Sequence, residues 1–213
     1  DNDLASPGVM GVNSGAGLLW LVAALWMPGH PVLRQAMAFV GALLATLLVY
    51  LVSRRAGTSR GTVVLAGVAV SSLMSAAIDA IVVVWPESVT DRVSFTLGGL
   101  SGVTYQSLAL CVPALLVALD AGAYLGRGID LLALGDEAAH GLGLDVRACR
   151  LGTIACAALL AASAVSICGL LSFVGLIVPN LVRMWARPTT RQGLALCALW
   201  GAALLVACDL VAR

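Results

Sequence analysis

The stretch from Leu151 to Val182, LGTIACAALLAASAVSICGLLSFVGLIVPNLV, runs for 32 residues without one charged side chain. As a single helix it would measure about 48 Å at 1.5 Å per residue, whereas the hydrocarbon layer of a bilayer is about 30 Å thick. One crossing leaves the stretch overlong. Two crossings demand a tight reversal, which Gly169 and Gly175 permit because glycine reaches backbone conformations closed to other residues.

The rest of the chain repeats this composition. Apolar runs occupy Gly11–Met27, Ala36–Val52, Gly61–Trp85, Val103–Leu119 and Gly193–Val211, and dividing the long stretch into Leu151–Gly169 and Leu170–Ala186 gives seven candidate spans. The runs are continuous rather than alternating and are rich in Ala and Leu, which argues for helices over strands. Apolar residues make up 61% of the chain and charged residues 11%, where a soluble domain carries about 25% charged. Mean hydropathy is +1.01. The expected fold is all-α: a polytopic membrane helix bundle of about seven spanning helices in one domain, 1–213, with short cytoplasmic helices in segment 130–145.

Arginine placement favours the seven-span division, because Lys and Arg concentrate in cytoplasmic loops. With seven spans, Arg54, Arg55, Arg60, Arg127, Arg147, Arg150, Arg183, Arg187 and Arg191 share one side, and Arg34, Arg92 and Arg213 the other, nine against three. A single crossing of Leu151–Ala186 lowers the bias to seven against five. The seven-span reading sets the first residue and the segment Asp120–Arg150 inside, and Arg213 outside.

All twelve basic residues are arginine. A P-loop ATPase needs a lysine to reach the β- and γ-phosphates, so ATP hydrolysis, where this protein depends on it, is expected in another chain. The six cysteines form no C-x-x-C pair, and five lie inside apolar runs, where thiols behave as small hydrophobes. His30 and His140 lie in different loops, so no metal site is expected and no cofactor in this chain. The chain begins at Asp1 rather than Met and is expected to be part of a longer or processed polypeptide. Small residues at Gly11/Gly15, Gly98/Gly102 and Gly122/Gly126 have the spacing that lets helices approach closely in lipid.

The inner segment Leu131-Leu132-Ala133-Leu134-Gly135-Asp136-Glu137-Ala138-Ala139-His140-Gly141-Leu142-Gly143-Leu144 has too many breakers to span. It reads as two short helices, capped by Asp130 and Asp136 and stopped by Gly135 and by Gly141 or Gly143. Leu134, Ala138 and Leu142 follow at i, i+4 and i+8 and would form one apolar stripe. Two readings stand: a loop lying on the membrane surface, or a rigid knob inserted into a cytoplasmic partner. Asp79 lies about eighteen residues into the Gly61–Trp85 run, where an ionised carboxylate is costly. It is expected near the outer surface, facing a water-filled pathway rather than lipid.

Read together, several motifs resemble those of the FecCD family, the permeases of ATP-binding-cassette importers for iron-siderophores, heme and vitamin B12. Leu4-Ala5-Ser6-Pro7-Gly8 followed by Gly11-Val12-Asn13-Ser14-Gly15-Ala16 resembles the family's N-P-L-A-x-P-x-x-L-G-V-S-x-G-A. Thr58-Ser59-Arg60 before Leu65-Ala66-Gly67-Val68-Ala69 resembles S-R-L-x-L-A-G-V-A, and Leu97-Gly98-Gly99-Leu100-Ser101-Gly102 resembles M-G-S-L-x-G. Leu134-Gly135-Asp136-Glu137-Ala138-Ala139 with Gly141-Leu142-Gly143 is similar to the coupling loop, L-G-x-x-x-A-x-x-L-G. Phe173-Val174-Gly175-Leu176-Ile177-Val178-Pro179-Asn180 resembles F-V-G-L-x-x-P-H, and Asp209-Leu210-Val211-Ala212-Arg213 resembles D-x-x-A-R. Asn180 departs from the family's His, and two extra residues near Gly61-Thr62 lengthen the segment after Arg60.

The resemblance implies the third to ninth spans of a ten-span permease, without the first two and the last. It implies a second permease copy, cytoplasmic ATPase subunits that bind ATP and Mg, and an external substrate-binding protein, in a bacterial inner membrane and without nucleic acid. It assigns ATPase coupling to Leu134, Gly135, Asp136, Glu137, Ala138, Gly141, Leu142 and Gly143, a cytoplasmic gate to Thr58 and Ser59, and binding-protein docking to Arg213. From the residues alone, Thr58 and Ser59 serve equally as helix N-caps, and Arg213 as an interfacial, snorkelling arginine. A zinc or manganese permease is the nearest alternative. A secondary transporter or channel would need ionisable groups near the midplane, which these interiors nearly lack, and an intramembrane enzyme would need motifs such as H-E-x-x-H, which are absent.

Overall fold

The computed structural model describes residues 11–27, 29–56, 60–99, 103–170, 174–186 and 189–212. Among the described residues, nine α-helices follow in order: α1 Val12–Trp26, α2 Pro31–Ala56, α3 Arg60–Val84, α4 Val89–Leu97, α5 Tyr105–Leu132, α6 Asp136–Gly141, α7 Val146–Cys168, α8 Val174–Ala186 and α9 Thr190–Ala212, with a 3-10 turn at Pro86–Ser88 between α3 and α4. Among the described residues, five helices are long and apolar enough to cross a membrane, within α2, α3, α5, α7 and α9; α1 and α8 are shorter apolar helices. Each of the seven expected apolar segments overlaps one of these helices. The 13 residues of α8 reach only about 20 Å, short of a full crossing.

The long uncharged stretch divides where glycine allows it. Helix α7 ends before Gly169, which holds the left-handed φ of +69°; Gly175 lies inside α8 rather than at the break. Helix α8 also contains Pro179, which lacks the N–H that the Gly175 carbonyl would receive four residues earlier. The F-V-G-L-x-x-P pattern thus produces a helix with one released carbonyl.

Residues group into two compact units. In the unit formed by Asp1–Ala114 and Ala161–Leu171, the α1–α2 crossing is built from small side chains: Ala16, Ala38, Ala42 and Ala45 have no exposed surface. Gly15 and Gly41 face each other there, and a Cβ on Gly15 would stand 2.5 Å from the Gly41 carbonyl oxygen. In lipid, where no hydrophobic drive brings helices together, such close backbone approach supplies the dispersion contacts that hold them. Helix α3 joins through Val49, Ala66, Val70 and Met74. Phe95 of α4 inserts against Trp20, ring centroids 5.5 Å apart. The end of α4 and the end of α7 are stitched by main-chain hydrogen bonds, Gly99 N–H to the Cys168 carbonyl at 2.8 Å and Leu170 N–H to the Phe95 carbonyl at 3.1 Å. A Cβ on Gly98 would meet the Cys168 oxygen at 2.8 Å, and one on Gly169 the Phe95 oxygen at 2.6 Å.

The second unit, Leu115–Leu160 with Ser172–Arg213, contains the remainder of α5 and α7 with α6, α8 and α9. Gly126 and Gly122 of α5 face Arg191 and Leu194 of α9, so the Gly122/Gly126 pair is a helix contact. Asp130 of α5 accepts hydrogen bonds from the backbone N–H (3.1 Å) and hydroxyl of Thr190, capping the start of α9. Asp145 caps α7, accepting from the N–H groups of Arg147 at 3.0 Å and Ala148 at 3.1 Å. Trp185 and Trp200 meet edge to face over an apolar groove between α8 and α9.

The expected loop Asp120–Arg150 is corrected. Helix α5 continues to Leu132, so Asp120, Arg127 and Asp130 are helical, and only the segment from Ala133 to Asp145 separates α5 from α7. That segment carries one short helix rather than two, because Leu131 and Leu132 complete α5. Its N-cap is Gly135 rather than Asp136, which is the first residue of the helix.

Two stability outcomes are expected. Gly15→Val and Gly41→Val each cost about 1 to 3 kcal/mol by overpacking, read as a lower melting temperature in detergent, whereas Gly201→Ala, which meets no neighbour within 4 Å, leaves melting unchanged or raised. Asp145→Ala costs about 1 kcal/mol and speeds hydrogen exchange at the Arg147 and Ala148 amides; unchanged exchange there would refute the cap.

Candidate functional site

Two places gather the candidate residues. The first is the hairpin between α5 and α7. Leu134 closes the turn after α5 with its N–H on the Leu131 carbonyl, and Gly135, at φ +110°, redirects the chain into α6. Helix α6 presents Glu137, Ala138 and Gly141 at the surface, and Leu142 and Gly143 follow, Gly143 with φ +83°. Asp136 begins α6; its side chain lies outside the described residues.

The expected stripe of Leu134, Ala138 and Leu142 is exposed, with Leu134 at 67% and Leu142 at 64%. The opposite side of α6 is anchored instead: Ala139 has no exposed surface, and its carbonyl accepts the N–H of Leu144. The hairpin is therefore a small structured knob. It has a buried alanine for a foot and two leucines outward.

The second place lies at the far ends of α2, α3 and α4 in the first unit. Arg34, at the start of α2, pairs with Asp91 of α4 at 3.0 Å. Asp79, near the end of α3, pairs with Arg92 at 2.7 Å. Two successive residues of α4 thus tie it to two different helices. The Asp79 and Arg92 side chains are 61% and 42% exposed, and an ion pair that open to water contributes only about 0 to 1 kcal/mol. The Asp79 carboxylate thus has a neighbouring guanidinium, a partner thirteen residues on that no helical spacing announces.

Beside Arg92 lies a recess of about 160 Å³, lined by Asn13, Ser14, Ser75, Arg92, Phe95 and Thr96 among others. Thr96 donates its hydroxyl proton to the Arg92 carbonyl at 2.8 Å. The side chains of Asn13, Ser14 and Ser75 are half-buried. Thr58, Ser59 and Arg213 lie outside the described residues. No group of three or more potential metal ligands occurs among the described residues.

Comparison with known proteins places this geometry. The FecCD transport family matches residues 1–213. The cobalamin import system permease protein of Halobacterium salinarum is 37% identical over 214 residues, covering all of this chain and 58% of that protein. The hemin transport system permease protein of Yersinia pestis is 33% identical over all of this chain and 65% of its own length. The Fe(3+) dicitrate transport system permease protein of Escherichia coli is likewise 33% identical, over 66% of its length. The chain thus spans about three fifths of the length of these curated relatives. A solved metal-chelate type ABC transporter in an inward-facing conformation superposes with a TM-score of 0.91 and 25% identity, over all of this chain and 68% of its own. With a match running from end to end and an all-helical, apolar fold that superposes on a solved transporter, the chain belongs to the FecCD transport family.

Proposed function

We propose that this chain forms the translocation pathway of an ATP-driven importer, as part of a permease whose solute belongs to the iron-chelate, heme or cobalamin class. The end-to-end family match carries this reading; the helix lengths and the exposed knob at α6 support it. The permease hydrolyses nothing itself. ATP and Mg are bound by a separate cytoplasmic ATPase, and an external binding protein delivers the solute.

Coupling in this reading is mechanical. Closure of the ATPase moves the knob, and the knob moves packed helices as rigid bodies. Leu134, Gly135, Asp136, Glu137, Ala138, Gly141, Leu142 and Gly143 form the contact. Two leucines outward give a docking surface the apolar anchors that dominate interface energetics, while the positive φ of Gly135 and Gly143 holds the knob's shape. Thr58 and Ser59 are the cytoplasmic gate, Arg213 docks the binding protein, Asp79 faces the pathway, and a second permease copy completes the channel.

Two outcomes test this. Replacing both Leu134 and Leu142 by Asp in the full-length permease is expected to lower co-purification with the ATPase, and ATP-dependent uptake, by about tenfold or more, since each anchor contributes more than about 1 kcal/mol; unchanged co-purification would remove α6 from the contact. In a cysteine-free background, a cysteine at Glu137 is expected to react with an impermeant maleimide only from the cytoplasmic side, and one at Glu87 only from outside. The reverse pattern would invert the proposed orientation.

A further inference from the structure

The recess beside Arg92 has a chemistry that a merely permissive channel wall does not need. In one pocket of about 160 Å³ it combines a guanidinium with the side chains of Asn13, Ser14 and Ser75, none of which has a hydrogen-bond partner among the described residues. Thr46 and Thr153, by contrast, donate to the Ala42 and Cys149 carbonyls of their own helices, while Ser71 of α3 is a single buried hydroxyl with no partner among the described residues. Polar side chains left open in a membrane helix mark a water-filled cavity or a ligand path. Those in the recess come from three different helices, α1, α3 and α4, and converge there.

We propose that this recess is a binding subsite for a carboxylate group of the transported solute, with Arg92 as its anchor and Asp79 as a competing internal carboxylate. The guanidinium donates two parallel N–H bonds to a carboxylate. Asn13, Ser14 and Ser75 supply further donors, while Thr96, its proton already given to a backbone carbonyl, offers none. Asp79 holds Arg92 in place while the recess is empty. Because that pair is open to solvent, an incoming carboxylate that brings additional hydrogen bonds displaces it. The subsite therefore favours solutes bearing free carboxylates over neutral ones. This deepens the importer reading and rests on it only for the statement that the ligand is cargo.

The test uses the full-length permease reconstituted in nanodiscs of neutral phosphatidylcholine, so that no anionic headgroup competes. Citrate is titrated by calorimetry against trimethyl citrate, the same skeleton with its carboxylates masked. Citrate is expected to bind, and the ester at least about tenfold more weakly. Arg92→Gln is expected to weaken citrate binding about tenfold or more, the loss of a hydrogen-bonded charge partner. Arg92→Lys should fall between, because it keeps the charge and loses the fork. Asp79→Asn, which removes the internal competitor, is expected to tighten citrate binding several-fold, whereas Arg34→Gln leaves it unchanged. Citrate binding equal in wild type and Arg92→Gln, equal binding of acid and ester, or no citrate binding by wild type overturns the subsite. Where the Arg92 variants fail to melt cooperatively, Asp79→Asn decides alone: tighter binding supports the proposal, and equal or weaker binding overturns it. None of these readouts involves the ATPase, so failure of coupling and failure of the subsite are separate results.

Discussion

A peptide group without a hydrogen-bond partner in hydrocarbon costs several kcal/mol, and that penalty organises this molecule. It makes every apolar run a helix, because only a helix satisfies its own main chain. It also leaves helix association to contact rather than to solvent exclusion, since lipid tails are as apolar as leucine. The α1–α2 crossing answers with Gly15 against Gly41 and alanines around them. Where the main chain must leave the helix inside the first unit, at Gly98–Gly99 and Gly169–Leu170, the released groups find each other.

Much of the polarity sits where a partner exists, although Trp20, Gln35 and Ser71 each bury a polar atom with none among the described residues. Helix ends are capped by carboxylates from the same loop, as with Asp145, or from a neighbouring helix, as with Asp130 on Thr190. Arg34 at the start of α2 and Asp79 near the end of α3 are paired with Asp91 and Arg92 of α4. The lining beside Arg92 differs in gathering several polar side chains around one recess.

The apolar segments were legible because length and uninterrupted hydropathy test one physical quantity, the thickness of the bilayer. Their ends were less so. Asp120, Arg127 and Asp130 read as loop residues, yet α5 carries all three, since a helix that emerges from the apolar layer has no reason to stop while its exposed face is solvated. The knob was visible in its glycines and its leucine spacing, but Leu131 and Leu132 belong to the helix before it. The ion pairs were not visible at all: Arg34 and Asp91 stand 57 residues apart, and only the fold brings them together. The pairing of Asp79 with Arg92 depends on the turn at Pro86–Ser88, which sets α4 beside the end of α3.

The junction between the ends of α4 and α7 is made of peptide groups and glycines, with side chains taking no part in the two bonds that close it. Frame and upholstery are thus separable in this corner of the molecule. Mutational drift can rewrite the surrounding side chains while the main chain beneath keeps its course. Substitutions among those side chains leave both closing bonds in place.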